Sequence, residues 1–361
     1  MKIKIVSIVG ARPQFIKAAA ISRAIRSEYA DQITEVLVHT GQHYDDNMSR
    51  VFFDDLDIPK PKYNLAIIAA RHGEMTGRML ERIESILLDE RPDWVLVYGD
   101  TNSTLAGALA AIKLHMRVAH VEAGLRSFNM KMPEEVNRIL TDRISSLLFC
   151  PSGYSVANLA SEGITKGVYN VGDVMYDTSL FYGQKAEMVS HILENLSLIK
   201  GSFILATCHR AENTDNRERL SQILSGLANV SKSIPVIFPL HPRTRKIISS
   251  HGLESTLGDV TVIEPLPFLD MLRLEAAARL VVTDSGGVQK EAYFFGIPCV
   301  TLREETEWIE TIQAGWNRLV RANSEEITHN ILTFSNPLNR PHFYGDGRAA
   351  YRIVNMISKQ Q

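Results

Sequence analysis

The sequence is poor in cysteine and has no long apolar run. Its three cysteines, Cys150, Cys208 and Cys299, stand among apolar residues and show no metal-binding spacing, so we expect buried, reduced thiols and no metal site. No apolar run approaches the ~18 residues that a helix needs to cross a bilayer. The chain also passes from its first residues directly into a strand pattern. These absences predict a cytoplasmic protein with no signal peptide and no membrane partner.

Strong charge of either sign is also missing. The formal net charge is −2, so no global basic field favours a nucleic-acid partner, and any anion site must be local. With 45% hydrophobic and 22% charged residues, the composition is that of an ordinary globular protein. Because single cores stop growing at roughly 250–300 residues, a chain of 361 residues favours two domains.

Short apolar runs alternate with amphipathic helical patterns along the whole chain. This alternation predicts an α/β fold with parallel sheets that helices cover on both faces. The runs form two series, so we expect two α/β halves that face a central cleft. The predicted domains are 1–172 and 173–346, with a hinge within 173–201 and a final helix in 347–361 that crosses back to the first domain. The predicted strands are Lys4–Val9, Glu35–Thr40, Trp94–Tyr98, Arg117–Val121, Leu147–Pro151, Val168–Val171, Phe203–Thr207, Pro235–Pro239, Val260–Glu264, Leu280–Thr283 and Cys299–Leu302.

The most informative segment is 280–291. A β-branched strand pattern ends at Thr283 and is followed by Ser285, Gly286 and Gly287, where a helical pattern begins. Two glycines let a phosphate approach the backbone, and the N–H groups that open a helix bind anions. Glu291 follows at a position suited to ribose hydroxyls. The segment predicts a site for a nucleotide diphosphate, although an ordinary strand–turn–helix would have the same pattern.

The turn after the first predicted strand contains only one glycine, Gly10. The G-x-G-x-x-G dinucleotide fingerprint is therefore absent, which argues against a nicotinamide cofactor. Arg12 in this turn and Lys17 in the following helix are instead suited to phosphate oxygens. The alternative is a solvated lysine and an arginine that holds a loop carbonyl.

Polar residues follow several other predicted strands. Ligands bind beyond the carboxyl ends of the strands in open parallel sheets, so Asp100, Glu122 and Glu134 are expected on one rim. Asp100 could simply cap a helix, and Glu134, with its neighbour Glu135, could simply complement a helix dipole. Three carboxylates together nevertheless favour a pocket with both an acid and a base. His209 follows the first strand of the second half, where it could meet a diphosphate.

Six motifs occur together and in order, and with them the chain resembles the non-hydrolysing UDP-N-acetylglucosamine 2-epimerases over nearly its whole length. The resemblance implies two Rossmann-like domains of the glycosyltransferase-B type, a homodimer, a UDP-activated amino sugar as ligand and no cofactor. It also implies UDP contacts at Arg12, His209, Ser285, Gly286, Gly287 and Glu291, and a reacting centre at Lys17, Asp100, Glu122, Glu134, Arg138 and His209. The motifs are Gly10-Ala11-Arg12-Pro13, Gly99-Asp100-Thr101, Val121-Glu122-Ala123-Gly124-Leu125-Arg126, Pro133-Glu134-Glu135-x-Asn137-Arg138, His209-Arg210 and Thr283-Asp284-Ser285-Gly286-Gly287.

The family's reaction accounts for these residue types. The proton on sugar C2 becomes removable only as the bond from C1 to UDP breaks, so elimination gives a glycal, and re-addition of UDP with protonation on the opposite face inverts C2. Such a site needs cations for the leaving diphosphate, carboxylates for the cationic centre and acid–base groups for both faces. We expect Asp100, Glu122 and Glu134 to divide these roles. The sequence leaves their division open.

Departures from the common family pattern indicate the substrate. Ala11, Gln14, the 39–46 segment with the substrate-binding candidate His43, and the 126–132 loop resemble the branch that acts on UDP-2,3-diacetamido-2,3-dideoxy-glucuronate. That sugar acid feeds bacterial surface polysaccharides such as the O-antigen of lipopolysaccharide. Its C6 carboxylate would need a further cation, for which Lys131 and Arg126 are candidates. A plain UDP-N-acetylglucosamine 2-epimerase, a UDP-sugar glycosyltransferase and an idle nucleotide-sugar sensor remain as alternatives.

Overall fold

The computed structural model describes residues 2–41, 58–68 and 71–360. It divides into two compact units, of which unit 1 comprises Met1–Thr178 and His342–Gln361 and unit 2 comprises Ser179–Pro341. The unit boundaries thus fall at 178/179 and 341/342, whereas the sequence placed domain boundaries at 172/173 and 346/347. The first of these observed boundaries lies inside a helix.

Unit 1 contains a seven-stranded sheet among its described residues, in the order β3-β2-β1-β4-β5-β6-β7. All neighbouring strands are parallel. Its strands are β1 (Ile3–Val9), β2 (Ile33–His39), β3 (Tyr63–Asn64), β4 (Trp94–Tyr98), β5 (Arg117–Val121), β6 (Leu147–Cys150) and β7 (Val168–Asn170). Its helices are α1 (Arg12–Glu28), α2 (His72–Glu90), α3 (Asn102–Lys113), α4 (Pro133–Ile144), α5 (Gly153–Ser161), the first part of α6 (Val174–Val189), and α15 (Ala349–Ser358).

The central strands of this sheet are apolar because helices cover both of its faces. Every residue of β4 is buried, and so are all but one in β1, as a parallel sheet with covered faces requires. The strand order reverses between β1 and β4, where the connections run to opposite sides. This switch point is where open α/β sheets bind ligands.

Unit 2 contains a six-stranded parallel sheet among its described residues, in the order β10-β9-β8-β11-β12-β13. Its order also reverses, between β8 and β11. Its strands are β8 (Ile204–Thr207), β9 (Val236–Pro239), β10 (Thr261–Ile263), β11 (Leu280–Thr283), β12 (Cys299–Thr301) and β13 (Asn317–Leu319). Its helices are the remainder of α6, α7 (Ile192–Asn195), α8 (Ala211–Thr214), α9 (Arg217–Ser231), α10 (Pro242–Ser250), α11 (Phe268–Ala277), α12 (Gly286–Phe295), α13 (Ile309–Gln313) and α14 (Ser324–Leu332).

The predicted α/β class with two Rossmann-like domains is confirmed. Every strand predicted from the sequence is present, with ends shifted by two residues at most. The sequence missed β3 and β13, which are short edge strands of two and three residues and carry no apolar run. The segment expected to contain the hinge consists mainly of α6 and α7. Every helix in the described ranges is too short or too polar to span a bilayer.

The last helix, α15, packs on α1 within unit 1. Its first two N–H groups, those of Ala349 and Ala350, donate to the carboxylate of Asp177 at 3.1 and 2.7 Å. Burial raises the pKa of Asp177 to about 6 despite these two hydrogen bonds. The Asp177 carboxylate of α6 thus fixes the N-terminus of α15.

Candidate active site

Gln14 joins the turn after β1 to the end of β4. Its side chain is 1% exposed, and its Oε1 accepts from the N–H groups of Gly10 and Ala11 at 2.8 and 3.0 Å. Its Nε2 donates to the carbonyl of Tyr98 at 2.7 Å. The two turns of the switch point are therefore held together by one amide. Arg12 starts α1, whose first turn contains no acidic residue, and is exposed there.

Lys17 and Glu122 form a buried ion pair at this end of the sheet. The Lys17 ammonium contacts Glu122 Oε2, and both side chains are at most 9% exposed. Glu122 has a φ of 73°, a left-handed conformation that is costly for a residue with a Cβ atom. The N–H group of Glu122 donates to the Phe149 carbonyl at 3.0 Å. Packing therefore holds this carboxylate in a strained conformation toward Lys17, as is common at functional sites.

Asp100 lies in the turn after β4, and helix α4 holds it. Arg138 donates to Asp100 Oδ2 through Nε at 3.0 Å and Nη2 at 2.7 Å. Asn137 donates to the backbone carbonyl of Asp100 at 2.9 Å. The Asp100 side chain remains 29% exposed, so it is both fixed and accessible.

The two glutamates of the first turn of α4 differ in their surroundings. Glu134 is exposed, whereas Glu135 is 1% exposed and accepts from the N–H groups of Ser127 and Phe128, both at 2.9 Å. It also accepts from Arg138 at 2.7 Å. Burial opposes its ionisation, but these hydrogen bonds outweigh burial and lower the pKa of Glu135. Glu135 therefore fixes both Arg138 and the 127–128 loop, a role that the helix-dipole interpretation missed.

Arg126 does not present a cation to a ligand. Its guanidinium is 1% exposed and pairs with Asp142 at 2.8 Å and Glu162 at 2.6 Å. Of the two cations considered for a C6 carboxylate, Arg126 is thus neutralised by protein carboxylates. Lys131 lies exposed on the loop that Glu135 fixes, and its backbone N–H donates to Asn129 at 3.1 Å.

In unit 2, Asp284 positions His209. Asp284 is fully buried and accepts from the N–H groups of His209 and Arg210 at 3.1 and 3.0 Å. Asn213 also donates to it, at 3.1 Å. The His209 ring is 47% exposed, and its Nδ1 lies 3.6 Å from Asp284 Oδ1. The carboxylate after β11 therefore fixes the histidine after β8, across the switch point of this sheet.

His241 and Arg243 add basic groups beside His209. The backbone N–H of Arg243 donates to His241 Nδ1 at 3.2 Å. Burial lowers the pKa of His241, and the positive potential of His209 and Arg243 lowers it further. Both residues follow β9, as polar residues near the carboxyl end of a strand.

The start of α12 is open. Ser285 is its N-cap and makes no capping hydrogen bond, and the first turn contains no acidic residue. A Cβ atom at Gly286 would lie 3.6 Å from its nearest neighbour, and one at Gly287 would lie 3.9 Å away, so packing within the protein does not require glycine at either position. Close approach of a ligand to the backbone would require it. Glu291 follows in the second turn and is 8% exposed.

The structure thus gathers the predicted residues into two sets, each at the carboxyl ends of its own sheet. His43 lies outside the described residues. The sequence did not reveal which residues hold the candidate side chains and their turns in place. These are mostly buried, namely Gln14, Glu135, Asn137, Asp142 and Asp284. The set in unit 1 is Arg12, Lys17, Asp100, Glu122, Glu134 and Arg138, and the set in unit 2 is His209, Ser285, Gly286, Gly287 and Glu291.

Two Rossmann-type sheets, one with a helix start suited to phosphate and one with buried acid–base groups, define an enzyme of the nucleotide-sugar class. The family model described as UDP-N-acetylglucosamine 2-epimerase matches residues 26–358. The chain therefore belongs to the UDP-N-acetylglucosamine 2-epimerase family. This confirms the predicted family and, with it, the expected isomerase class.

Individual relatives agree over the full length. The chain is 52% identical to the UDP-N-acetylglucosamine 2-epimerase homolog of Methanococcus maripaludis, covering 98% of this chain and 99% of that protein. It is 51% identical to the UDP-2,3-diacetamido-2,3-dideoxy-D-glucuronate 2-epimerase of Pseudomonas aeruginosa, covering 99% of each. The crystal structure of the Methanocaldococcus jannaschii UDP-GlcNAc 2-epimerase in complex with UDP-GlcNAc and UDP matches with a TM-score of 0.89 at 43% identity, covering 99% of each chain. The predicted glycosyltransferase-B class is thereby confirmed.

Proposed function

We propose that this enzyme inverts C2 of UDP-2,3-diacetamido-2,3-dideoxy-glucuronate, converting the gluco sugar to the manno sugar for surface polysaccharide synthesis. The observation that carries this substrate is the 51% identity, over 99% of both chains, to an enzyme of that name. Identity to the Methanocaldococcus enzyme named for UDP-GlcNAc is lower, at 43%, and the 52% identical Methanococcus protein is named only as a homolog of the UDP-N-acetylglucosamine enzyme. A UDP-2-acetamido sugar is the class of ligand common to both.

The proposed reaction is an elimination followed by an addition. A base takes the C2 proton, the C2–H electron pair forms the C1=C2 double bond, and UDP leaves with the electron pair of the C1–O bond. UDP then adds back to C1 of this glycal while an acid delivers a proton to the other face of C2. Atoms and charge balance without an oxidant or a cofactor, and positive charge grows at C1 in both transition states.

The carboxylates of unit 1 are assigned to the sugar. Glu122 and Asp100 are the proton-transfer candidates because each is anchored by one cation, Lys17 and Arg138 respectively. Fixed carboxylates also stabilise positive charge at C1 without reorganisation. Glu134, exposed on the first turn of α4, is the third candidate, and we leave the division of roles among the three to experiment.

The residues of unit 2 are assigned to UDP. The open start of α12 suits the diphosphate, because the N–H groups that begin a helix bind anions. Packing within the protein does not require glycine at positions 286 and 287, whereas close approach of a phosphate would. His209 supplies a further donor to phosphate oxygens, and Glu291 is placed one turn beyond the glycines for the ribose. Arg12, at the start of α1 in unit 1, is assigned to the phosphates by the family resemblance alone. We propose no metal ion and no nicotinamide in this assignment.

The homodimer and the cytoplasmic location expected from the sequence belong to the same proposal. The three cysteines are buried free thiols, which suits a reducing compartment. Light scattering during gel filtration tests the assembly, since a dimer has twice the 40.4 kDa mass of the chain. A single species at the monomer mass would contradict it.

The deciding experiment follows C2 by NMR in D2O. UDP-N-acetylglucosamine and UDP-2,3-diacetamido-2,3-dideoxy-glucuronate are incubated together with the enzyme, without any acceptor. We expect deuterium at C2 and accumulation of the manno epimer for the uronate. Exchange of UDP-N-acetylglucosamine alone would move the assignment to the plain epimerase. If both sugars stayed intact and unlabelled, epimerase activity would be refuted and acceptors for glycosyl transfer would be screened.

A further inference from the structure

The turn that carries Asp100 is held through three successive backbone carbonyls, each by a side chain. The Tyr98 carbonyl accepts from Gln14 at 2.7 Å and from Thr104 at 2.6 Å. The Asp100 carbonyl accepts from Asn137. Between them, the Gly99 carbonyl lies 2.7 Å from Nε2 of His120. His120 is in β5 and is fully buried, so this contact is shielded from water.

The other ring nitrogen of His120 also faces an acceptor. Its Nδ1 lies 2.7 Å from Asp142 Oδ1. Burial opposes ionisation of Asp142, but its contacts with His120 and Arg126 lower its pKa, so this carboxylate only accepts. The Gly99 carbonyl can only accept as well. A neutral imidazole has one N–H and would leave a lone pair against an oxygen, whereas an imidazolium donates to both.

Charge balance favours the same state. The groups that face His120 and its partner carboxylate are Asp142 of α4, Arg126 after β5 and, through Arg126, Glu162 after α5. With an imidazolium, these two cations and two carboxylates sum to zero. A neutral ring would leave a net negative charge on this group, in which His120, Asp142 and Arg126 are buried and only Glu162, at 24% exposed, reaches water. Cys150 of β6 adds no charge, because burial and Asp142 raise the pKa of its thiol, and the nearby Lys17–Glu122 pair is neutral by itself.

We propose that His120 is a positioning residue for Asp100 and that the fold keeps it as a buried imidazolium. The inference rests on the proposed function, because it gives Asp100 a part in the chemistry at C2. His120 fixes the carbonyl of Gly99, whose φ is 61°, and so sets the direction in which the next residue leaves the turn. Asp142 acts one step further away by keeping the second proton on the ring.

The protonation state is tested directly by NMR of protein labelled with 15N-histidine, without substrate. We expect both nitrogens of His120 to remain protonated from pH 6 to pH 9. The signal is assigned by its loss in His120→Gln, or by its contacts to residues of β5 and α4 if that variant does not fold. An unprotonated ring nitrogen in His120 at pH 8 would overturn the proposal.

The positioning role is tested with Asp142→Asn, which removes the charge but keeps the shape. We expect kcat for C2 exchange to match the wild type within a few-fold at pH 6, and then to fall by about tenfold per pH unit once the imidazole has lost its second proton. KM should change little. Asp89→Asn, at an exposed position of α2, is the matched control and should keep the wild-type profile.

The two proposals fail separately. Absence of C2 exchange in the wild type would refute the epimerase function. Exchange in the wild type together with an unchanged pH profile in Asp142→Asn would refute the role of His120 alone. Should Asp142→Asn fail to fold, the spectra of the wild-type protein still decide the protonation state.

Discussion

The Lys17 ammonium lies against the Glu122 carboxylate and joins the second turn of α1 to the residue that follows β5. The pair is buried, and removal of one partner would leave the other charge uncompensated. Lys17 and Glu122 therefore act as a unit, and single substitutions at the two positions should have similar effects.

Glu122→Gln should lower C2 exchange by on the order of 10²-fold or more, the usual loss when an acid–base group is removed. The amide keeps the size of the side chain but cannot take a proton. The measurement is deuterium incorporation from D2O, compared with Glu81→Gln on the exposed face of α2. Full turnover in Glu122→Gln would refute a proton-transfer role.

Gly99→Ala should reduce activity far more than Gly163→Ala. Both glycines have positive φ, 61° and 76°, so alanine costs about 1–2 kcal/mol of backbone strain at either site. The added methyl group at position 99 would lie 3.2 Å from both Glu122 Oε2 and Lys17 Nζ, whereas nothing lies within 4 Å at position 163. Thermal unfolding and C2 exchange separate the two costs. Equal activity in the two variants would show that the Lys17–Glu122 geometry tolerates displacement.

Gly287→Ala should weaken UDP binding by tenfold or more without loss of folding stability. The protein has room for the methyl group, but a phosphate drawn to the helix start does not. Calorimetric titration with UDP gives the affinity, and thermal unfolding gives the stability. Gly77→Ala in α2, where a Cβ atom would have no neighbour within 4 Å, should leave UDP affinity unchanged. An unaltered UDP affinity in Gly287→Ala would show that the diphosphate does not bind at the start of α12.

Lys131→Gln should lower kcat/KM for the diacetamido uronate by about tenfold or more, as loss of a charge-assisted hydrogen bond does. UDP-N-acetylglucosamine has no C6 carboxylate, so any turnover of that sugar should be unchanged. Lys166→Gln, at another exposed lysine of unit 1, serves as the control. A parallel loss with both sugars would contradict recognition of the C6 carboxylate.

Asp177 should make folding stability fall as pH rises from about 4 to 6. Its pKa is raised from 3.8 to about 6 in the folded protein, so the folded state binds the proton more tightly than the unfolded state does. This stabilisation is complete below pH 4 and is lost through pH 6, with a total of about 3 kcal/mol. The melting temperature of the wild type relative to Asp177→Asn should therefore drop over this window. Parallel melting curves across pH 4–7 would contradict it.

The strands and the positions after them were predictable because they depend on local pattern. Apolar runs such as Trp94–Tyr98 identify buried strands, and the carboxyl-end rule then selects Asp100, Glu122 and His209. The edge strand Asn317–Leu319 was not predicted, because a strand that has a neighbour on one side alone does not need an apolar run.

Hydrogen-bond partners were less predictable because they depend on how elements pack. Glu134 and Glu135 are chemically equivalent in the sequence, and only the packing of α4 buries the second against the 127–128 loop. The partners of Arg126 were equally hard to predict. Its position near Glu122 indicated a place in the site, but the carboxylates that neutralise it, Asp142 and Glu162, come from α4 and the end of α5. The one local signal for His120 was a polar residue within an otherwise apolar strand.

The packing of α15 on α1 also has a consequence for synthesis on the ribosome. Unit 2 is continuous in the chain, whereas unit 1 includes residues on both sides of it. A nascent chain can therefore complete unit 2 while the first unit, although translated earlier, still lacks the helix that covers α1. Lys17, which pairs with Glu122 from α1, thus reaches its final packing only when residues 342–361 have left the exit tunnel.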